Sequence, residues 1–214
     1  MKKHITLFMI GVILMTSLSQ QTLHAGTGSD RIIPLPAPER KGGMPLMEAL
    51  DRRMSIRDYR DKAMPEQLLS NLLWAAWGYN REDEKKRTAP SSMNRQEISV
   101  YLAVADGLYL YDAGAHGLIK LSDEDIRAET GKQDFAGSAP LNLIFVADTN
   151  KQGSLTSSYA NAGFISQNVY LFCASEGLGG VVRGWFDEAA LHKAMELEDH
   201  QKIILCHTVG FPAK

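Results

Sequence analysis

Residues 157–176 read SSYANAGFISQNVYLFCASE and form the longest helical pattern of the chain. Apolar residues lie on nearly every face of that helix, and such a helix is buried. It is therefore predicted either at the centre of the domain or at a contact between subunits, and Gly163 would allow another helix to approach closely. One stripe at helical spacing consists of Tyr159, Ala162, Gly163, Ser166, Val169, Tyr170 and Cys173.

Segments with the alternation and composition of β-strands lie on both sides of this helix. The pair Asp106-Gly107 is a strong hairpin signal, which predicts an antiparallel meander. Leu141 to Ala147 is almost continuously apolar, as expected for a central strand buried on both faces. We predict strands at residues 98–104, 108–111, 117–121, 141–147 and 202–209.

Shorter helical patterns surround these strands. Pro65 stands where a helix begins and Gly78 where it ends. Ser122, with Asp125 three residues later, predicts the start of a short acidic helix. Strands grouped together, with helices between and around them, predict an α+β sandwich and not a regular βαβ alternation. The shorter helices are predicted at residues 46–52, 65–78, 122–130 and 188–196.

Composition narrows the class of protein. The chain has 214 residues, of which 44% are hydrophobic and 22% charged, as in an ordinary globular domain. The formal net charge is −2, which argues against a nucleic-acid-binding protein. Cys173 and Cys206 both lie in strongly apolar segments, so we interpret them as buried small hydrophobes and expect no metal site.

The first residues have the pattern of a secretory signal peptide. Lys2 and Lys3 precede an apolar run from Ile5 to Leu18, and a polar stretch ends near Ala25. We expect residues 1–25 to be removed on export to the periplasm or exterior of a bacterium, leaving no membrane span. An uncleaved anchor is the alternative. Residues 26–44, rich in Gly and Pro, are predicted to be an extended lead-in to a domain at residues 45–214.

Arg53, Ser55 and Arg57 alternate just after the first predicted helix. In an extended segment, side chains two residues apart point the same way, so these three can converge on one object. Two guanidinium groups and a hydroxyl suit a phosphate. The alternative is a solvated basic patch at the C-terminal end of the preceding helix.

A second polar stretch runs from Thr88 to Gln96 and leads directly into a predicted strand. This stretch contains four polar side chains that could hydrogen-bond a polar heterocycle or could simply make turns. They are Ser91, Ser92, Asn94 and Gln96. The mixed charges of residues 80–87, just before it, are predicted to form a solvated loop.

Taken together and in order, three segments resemble the nitroreductase family of FMN enzymes. Residues 160–168 are also similar to that family's central dimer helix, and the resemblance spans residues 45–212. The three segments are Arg53-x-Ser55-x-Arg57, then Pro90-Ser91-Ser92-x-Asn94-x-Gln96, and then Glu176-Gly177-Leu178-Gly179 near a terminal Val209-Gly210-Phe211-Pro212.

The resemblance implies a nitroreductase-like α+β sandwich with a central mixed or antiparallel sheet, working as an intertwined homodimer with two FMN sites at the subunit interface. It implies that the FMN phosphate and ribityl chain are held by Arg53, Ser55 and Arg57. Contacts to the flavin ring, partly across the dimer, are implied for Asn94 and the turn of Pro90, Ser91 and Ser92. Contacts near flavin N5, usually through the backbone, are implied for Arg183 and Gly184.

The expected function is that of an exported FMN-dependent oxidoreductase, which passes hydride through flavin N5 in two half-reactions. The small-molecule substrate is open between a nitroaromatic or quinone-like acceptor and a compound that the enzyme dehydrogenates, and the electron donor is also open. The alternative is a flavin-binding module without turnover. We expect no catalytic role for the histidines, with His116, His192 and His200 exposed and His207 a hydrogen-bonded core residue.

Overall fold

The computed structural model describes residues 32–213, and the predicted signal peptide, residues 1–25, lies outside that range. The strands are β1 (Ile32–Pro34), β2 (Tyr79–Arg81), β3 (Lys86–Arg87), β4 (Ile98–Val104), β5 (Gly107–Asp112), β6 (Gly117–Ser122), β7 (Leu141–Asp148), β8 (Gly179–Arg183) and β9 (Gln201–Gly210). The helices are α1 (Leu46–Arg52), α2 (Glu66–Trp77), α3 (Phe135–Ser138), α4 (Leu155–Ser175) and α5 (Glu188–Ala194), with 3-10 turns at Ser92–Asn94 and Arg127–Thr130.

Seven strands form one sheet in the order β1-β6-β5-β4-β7-β9-β8, and every neighbouring pair is antiparallel. The strand β7 lies between β4 and β9, with Ile144 opposite Tyr101 on one side and Cys206 on the other. Residues 141–147 are all buried. The α+β fold and the central strand are confirmed, and the sheet is antiparallel.

The sheet separates two cores, because successive side chains of a strand point to opposite faces. On one face Phe145 packs with Leu72 of α2 and Ile165 of α4. On the other face Ile144 packs with Leu191 of α5. The long helix therefore covers one face of the sheet, as expected for an element buried at the centre of the domain.

The helix α4 is buried along one side and open along the other. Ile165 and Val169 are fully buried, but Tyr159 is 51% exposed and Phe164 is 47% exposed. A Cβ added at Gly163 would meet nothing within 4 Å. The predicted burial is therefore complete on one side only, and the other side of α4 exposes two aromatic side chains, Tyr159 and Phe164, around Gly163.

Both edge strands differ from the predicted set. The strand β1 pairs with β6 inside the stretch predicted as an extended lead-in. The strand β8 begins at Gly179, where an added Cβ would lie 2.8 Å from the side chain of Ile56. At Gly180 an added Cβ would lie 2.9 Å from Nε2 of His207. Because these two glycines have no side chain, the edge strand β8 can lie between the segment around Ile56 and the core.

The charged residues 80–87 were predicted to form a solvated loop, but part of this stretch is β-structure. The strands β2 and β3 pair as a separate two-stranded sheet. The guanidinium of Arg87 lies 4.5 Å from the ring centre of Trp77 and 4.6 Å from that of Tyr79. Arg87 Nη1 also donates to the Trp77 carbonyl at 2.7 Å. Stacking of one arginine between two aromatic rings holds the hairpin to α2.

The prediction of an acidic helix at residues 122–130 is wrong except at its C-terminal end. Arg127–Thr130 is a 3-10 turn, and the residues before it are not helical. The Asp125 carboxylate accepts bonds from both the backbone and the guanidinium of Arg127. Such local side-chain bonds compete with an α-helix.

Within residues 32–213, no helix combines the length and the apolar character needed to cross a bilayer.

Candidate functional site

The segment after α1 is extended and lies along the edge strand β8. Ser55 forms a parallel bridge with Gly180, whose carbonyl also accepts the Ile56 N–H at 3.0 Å. Ile56 points toward β8, so its neighbours at odd positions point away. Ser55 and Arg57 are exposed and Arg53 is half-buried. We call Arg53, Ser55 and Arg57 the open arginine segment.

The polar groups of the open arginine segment have few partners of their own. Among residues 32–213, Arg53 and Arg57 have no carboxylate partner, whereas the adjacent Arg52 is paired with Glu48 at 2.6 Å. The alternative of a helix-capping basic patch therefore describes Arg52 better than its two neighbours. Two unpaired guanidinium groups beside a hydroxyl retain the donors that a phosphate needs.

Tyr170 of α4 lies beneath this segment, and the sequence predicted it only as part of the helical stripe and not as a site residue. Its hydroxyl is 3.0 Å from Ser55 Oγ and accepts the Val182 N–H at 3.0 Å. The Arg53 guanidinium lies 5.2 Å from the centre of its ring. A polar side chain in the buried stripe of an apolar helix is the one signal in the sequence that could have marked it.

The turn at residues 90–94 contacts the other half of α4. The backbone N–H of Ser92 donates to Asn161 Oδ1 at 3.1 Å, and Ser91 Oγ accepts the Gln96 N–H at 3.0 Å. Met93 and Asn94 both have a φ of 54°, which is uncommon for residues other than glycine. Ser91 thus makes the turn, and Asn94 is exposed at its tip.

A buried acid supports that turn from below. The Asn161 amide donates to Glu97 Oε1 at 2.8 Å, and Glu97 is fully buried. Glu97 Oε2 has no hydrogen-bond partner among residues 32–213. Sequence reasoning missed both residues, because the bond joins positions 64 residues apart.

Within one chain, the two predicted parts of the site do not meet. The turn is bound at Asn161 and the open arginine segment at Tyr170, nine positions further along α4. That separation corresponds to about 13 Å along a helix axis. A single chain therefore presents two half-sites on one helix.

Arg183 lies at the end of β8, and its side chain is buried. Its guanidinium donates to the Thr130 carbonyl, to Asn142 Oδ1 and to Thr208 Oγ1, each at 2.7 Å. None of these acceptors is a carboxylate, and burial lowers the pKa of Arg183. We call these four residues the buried arginine cluster. Gly184, which follows, is exposed, whereas the Arg183 side chain is directed into the protein and its backbone pairs with Cys206 of β9.

Histidine surroundings differ from those predicted. His207 is fully buried, but neither ring nitrogen has a hydrogen-bond partner among the described residues. Burial, and then the charge of Arg183, lowers the pKa of His207 to about 3, so the ring is neutral. His116 is half-buried and bonded to Ser70 Oγ at 2.7 Å and to the Tyr111 hydroxyl at 2.9 Å. His192 and His200 are also half-buried.

The two cysteines are buried and free, as predicted. Burial raises the pKa of both thiols, that of Cys206 to about 12. One cavity in the described part of the chain lies away from these residues. It has a volume of about 520 Å³ and lies between residues 39–44, α2 and α4, with Trp74 and Phe172 in its wall. It contains none of the predicted site residues.

Comparison of the chain with known proteins finds matches to one family. A family model described as "Nitroreductase family" matches residues 50–211. A Ralstonia eutropha structure of a "putative nitroreductase" shares 44% identity and a TM-score of 0.82, over 87% of this chain and 92% of that one. The "Putative nitroreductase MJ1384" of Methanocaldococcus jannaschii is 28% identical over 75% of this chain and 88% of its own.

A more distant structure carries a bound cofactor. It is a "putative nitroreductase in complex with FMN" from Desulfovibrio desulfuricans, 22% identical, with a TM-score of 0.62. The match covers 81% of this chain and 89% of that one. At this identity the likeness shows the shared fold.

Proposed function

Because the chain belongs to the nitroreductase family of oxidoreductases, we propose that it is an FMN-dependent oxidoreductase that works as a homodimer. One observation carries the proposal. Two guanidinium groups that have no carboxylate partner within residues 32–213 flank a hydroxyl on one extended segment, Arg53 to Arg57, at the edge of the sheet. The FMN complex of the Desulfovibrio desulfuricans protein, which has the same fold, supports this choice of cofactor.

The residues present fit FMN by their chemistry. The open arginine segment supplies two cations and a hydroxyl for a dianionic phosphate. The exposed Asn94 at the tip of the turn supplies a side-chain amide for the polar edge of a flavin. Gly184, which is exposed beside the exposed Trp185, would supply backbone groups near flavin N5.

The homodimer would unite the two half-sites. On the exposed side of α4, Gly163 and Phe164 lie between Asn161 and Tyr170 along the helix. Tyr159 lies on the same side, two positions before Asn161. Two such helices packed antiparallel would place the turn of one chain near the open arginine segment of its partner. An exposed apolar helix face with a glycine at its centre suits such close packing.

In this proposal FMN supplies the two-electron centre that takes hydride from a donor and passes it to a substrate. Arg53, Ser55 and Arg57 bind and orient the phosphate end. The turn at residues 90–94 and the backbone at Gly184 fix the position of the ring system. His207 is assigned no role in this proposal, because it is buried and neutral.

The test begins with the purified full chain. We expect yellow protein with stoichiometric FMN, whose visible absorbance bleaches on addition of a suitable donor and recovers with an acceptor. Yellow protein that no donor reduces would favour the alternative, a flavin-binding module without turnover. Colourless protein that does not take up added FMN would overturn both functions.

Assembly is tested separately with Gly163→Leu. We expect the bulky side chain to shift sedimentation toward a monomer and to weaken FMN retention at the same time. Ala189→Leu is the matched control, because it adds the same bulk to an exposed position of α5 on the other face of the sheet. A monomer that retains FMN normally would contradict a site shared between subunits.

We also propose that residues 1–25 direct export, on the basis of their sequence pattern alone. N-terminal sequencing of protein recovered from a periplasmic extract should then begin near Gly26. Outside the inner membrane nicotinamide pools are not maintained. The donor would therefore be a quinol, a thiol or a redox protein, or the enzyme would run as a dehydrogenase that oxidises its substrate. Fast, saturable flavin reduction by NADH or NADPH in stopped-flow would contradict this assignment of the donor.

A further inference from the structure

Tyr170 connects three parts of the molecule. It belongs to α4, its hydroxyl reaches Ser55 of the open arginine segment at 3.0 Å, and it accepts the Val182 N–H of β8 at 3.0 Å. The residue is 8% exposed, and its ring packs edge-on against the ring of buried His207, with the two ring centres 4.6 Å apart. Its position is therefore fixed by packing as well as by hydrogen bonds.

The bond from Val182 follows from the position of β8 in the sheet. The strand β8 is an edge strand, and Val182 pairs with His207 of β9 on its inner side. On the outer side the Gly180 carbonyl accepts the Ile56 N–H. The Val182 N–H would otherwise be an unpaired edge donor, and it donates to Tyr170.

The direction of the second bond follows from counting protons. A tyrosine hydroxyl has one proton to donate and can accept hydrogen bonds on its oxygen. Val182 is a donor, so the Tyr170 proton is free for its other partner, Ser55 Oγ. In the reverse arrangement the Tyr170 proton would have no acceptor among residues 32–213, which is costly for a buried group.

We propose that Tyr170 is a positioning residue that orients the Ser55 hydroxyl so that Ser55 donates its own proton to the phosphate of FMN. The inference rests on the proposed function. The chain of donors runs from the Val182 N–H to the Tyr170 hydroxyl, then to the Ser55 hydroxyl, and ends at the anion. The Tyr170 ring also supports the Arg53 guanidinium, 5.2 Å from the ring centre.

The test is Tyr170→Phe, which keeps the ring and removes the hydroxyl. Kd is measured for FMN and for riboflavin, which has no phosphate. We expect FMN affinity to fall about three- to tenfold, the effect of one lost hydrogen bond, with riboflavin affinity unchanged. Tyr101→Phe is the matched control, because Tyr101 is also buried and its hydroxyl accepts from Gln201 at 3.3 Å in the other core.

A double-mutant cycle with Ser55→Ala gives an independent readout. If Tyr170 acts through Ser55, the double variant should lose little more FMN affinity than Ser55→Ala alone. Additive losses would overturn the inference. An equal loss of FMN and riboflavin affinity in Tyr170→Phe would also overturn it, because that result indicates general disturbance of β8.

The remaining outcomes separate the inference from the function on which it rests. Unchanged FMN affinity in Tyr170→Phe, with a clear loss in Arg57→Ala, would overturn the role of Tyr170 and leave the phosphate site standing. Wild-type protein that binds neither FMN nor riboflavin would overturn the proposed function and the inference with it.

Discussion

The buried arginine cluster and the open arginine segment use the same side chain in opposite ways. Arg183 directs its guanidinium into neutral oxygens of Thr130, Asn142 and Thr208. Arg53 and Arg57 have no carboxylate partner among residues 32–213. Arg183 is the last residue of β8 itself, whereas the open arginine segment lies along the outer edge of that strand.

The difference teaches how arginine roles can be told apart. A guanidinium whose donors are all occupied inside the protein supports the fold, and its removal or the loss of an acceptor should be seen in stability. A guanidinium with free donors at a surface costs little to keep and is available to an anion. Stability and ligand affinity should therefore respond to different substitutions.

The largest effect is expected from the buried arginine cluster. Asn142→Leu would take one acceptor from the Arg183 guanidinium and one donor from the Ala136 carbonyl. Leaving a buried charged donor and a buried carbonyl unpaired should lower the free energy of unfolding by about 3–5 kcal/mol. Urea denaturation measures it. Asn150→Leu, at an exposed turn, is the control and should change little.

The next effect should appear in binding and not in stability. Arg57→Ala and, separately, Arg53→Ala should each weaken FMN binding by about ten- to a hundredfold, the loss of one charge-assisted bond. Titration of flavin fluorescence measures Kd, and the unfolding midpoint should stay unchanged. FMN affinity equal to that of the wild type in both variants would place the phosphate elsewhere.

The burial of His207, and then its proximity to the charge of Arg183, lowers its pKa and so shapes the response of stability to pH. His207 has a pKa of about 3 in the fold, against about 6.5 in an unfolded chain, so the unfolded state alone gains a proton between these values. Stability should therefore fall as pH drops from about 6.5 toward 3, by up to about 1.4 kcal/mol per pH unit. His207→Leu should flatten that part of the profile in urea denaturation. An identical slope in both proteins would contradict it.

Much of the architecture could be predicted from local pattern. The strand β7 is a continuous apolar run, and α4 has a helical stripe with a capping serine, Ser154, before it. The edge strands β1 and β8 could not be predicted, because they are short and interrupted by Pro or Gly. The hairpin at 79–87 was hidden by its charges, since its stability depends on the stacking of Arg87 between two rings.

From the sequence, only the outer residues of the candidate site could be predicted, and not the buried residues that support them. The alternation of Arg53, Ser55 and Arg57 is a local pattern, and the extended backbone that it requires is present. Tyr170, Asn161 and Glu97 support the two half-sites from positions distant in sequence. No local pattern links Ser55 to a tyrosine 115 residues away, so these supporting residues appear only in the structure.

The smallest effect is expected at Arg52, directly beside Arg53, and it sharpens the comparison most. Arg52 is paired with Glu48 at 2.6 Å on the exposed surface of α1. Such a pair contributes about 0.3–0.5 kcal/mol to stability. Arg52→Ala should therefore lower stability slightly and change the FMN Kd less than about twofold, because an exposed, paired charge is screened by salt.

Measuring Arg52→Ala and Arg53→Ala side by side, at low and at physiological salt, decides between a built site and a basic patch. In a built phosphate site, the two neighbouring arginines differ by about tenfold or more in their effect on Kd, because only one donates directly to the anion. In a solvated basic patch, each arginine would contribute a similar increment to FMN affinity. Both contributions would decrease together as the salt concentration rises. Equal effects at both salt concentrations would therefore remove the distinction between Arg52 and the open arginine segment.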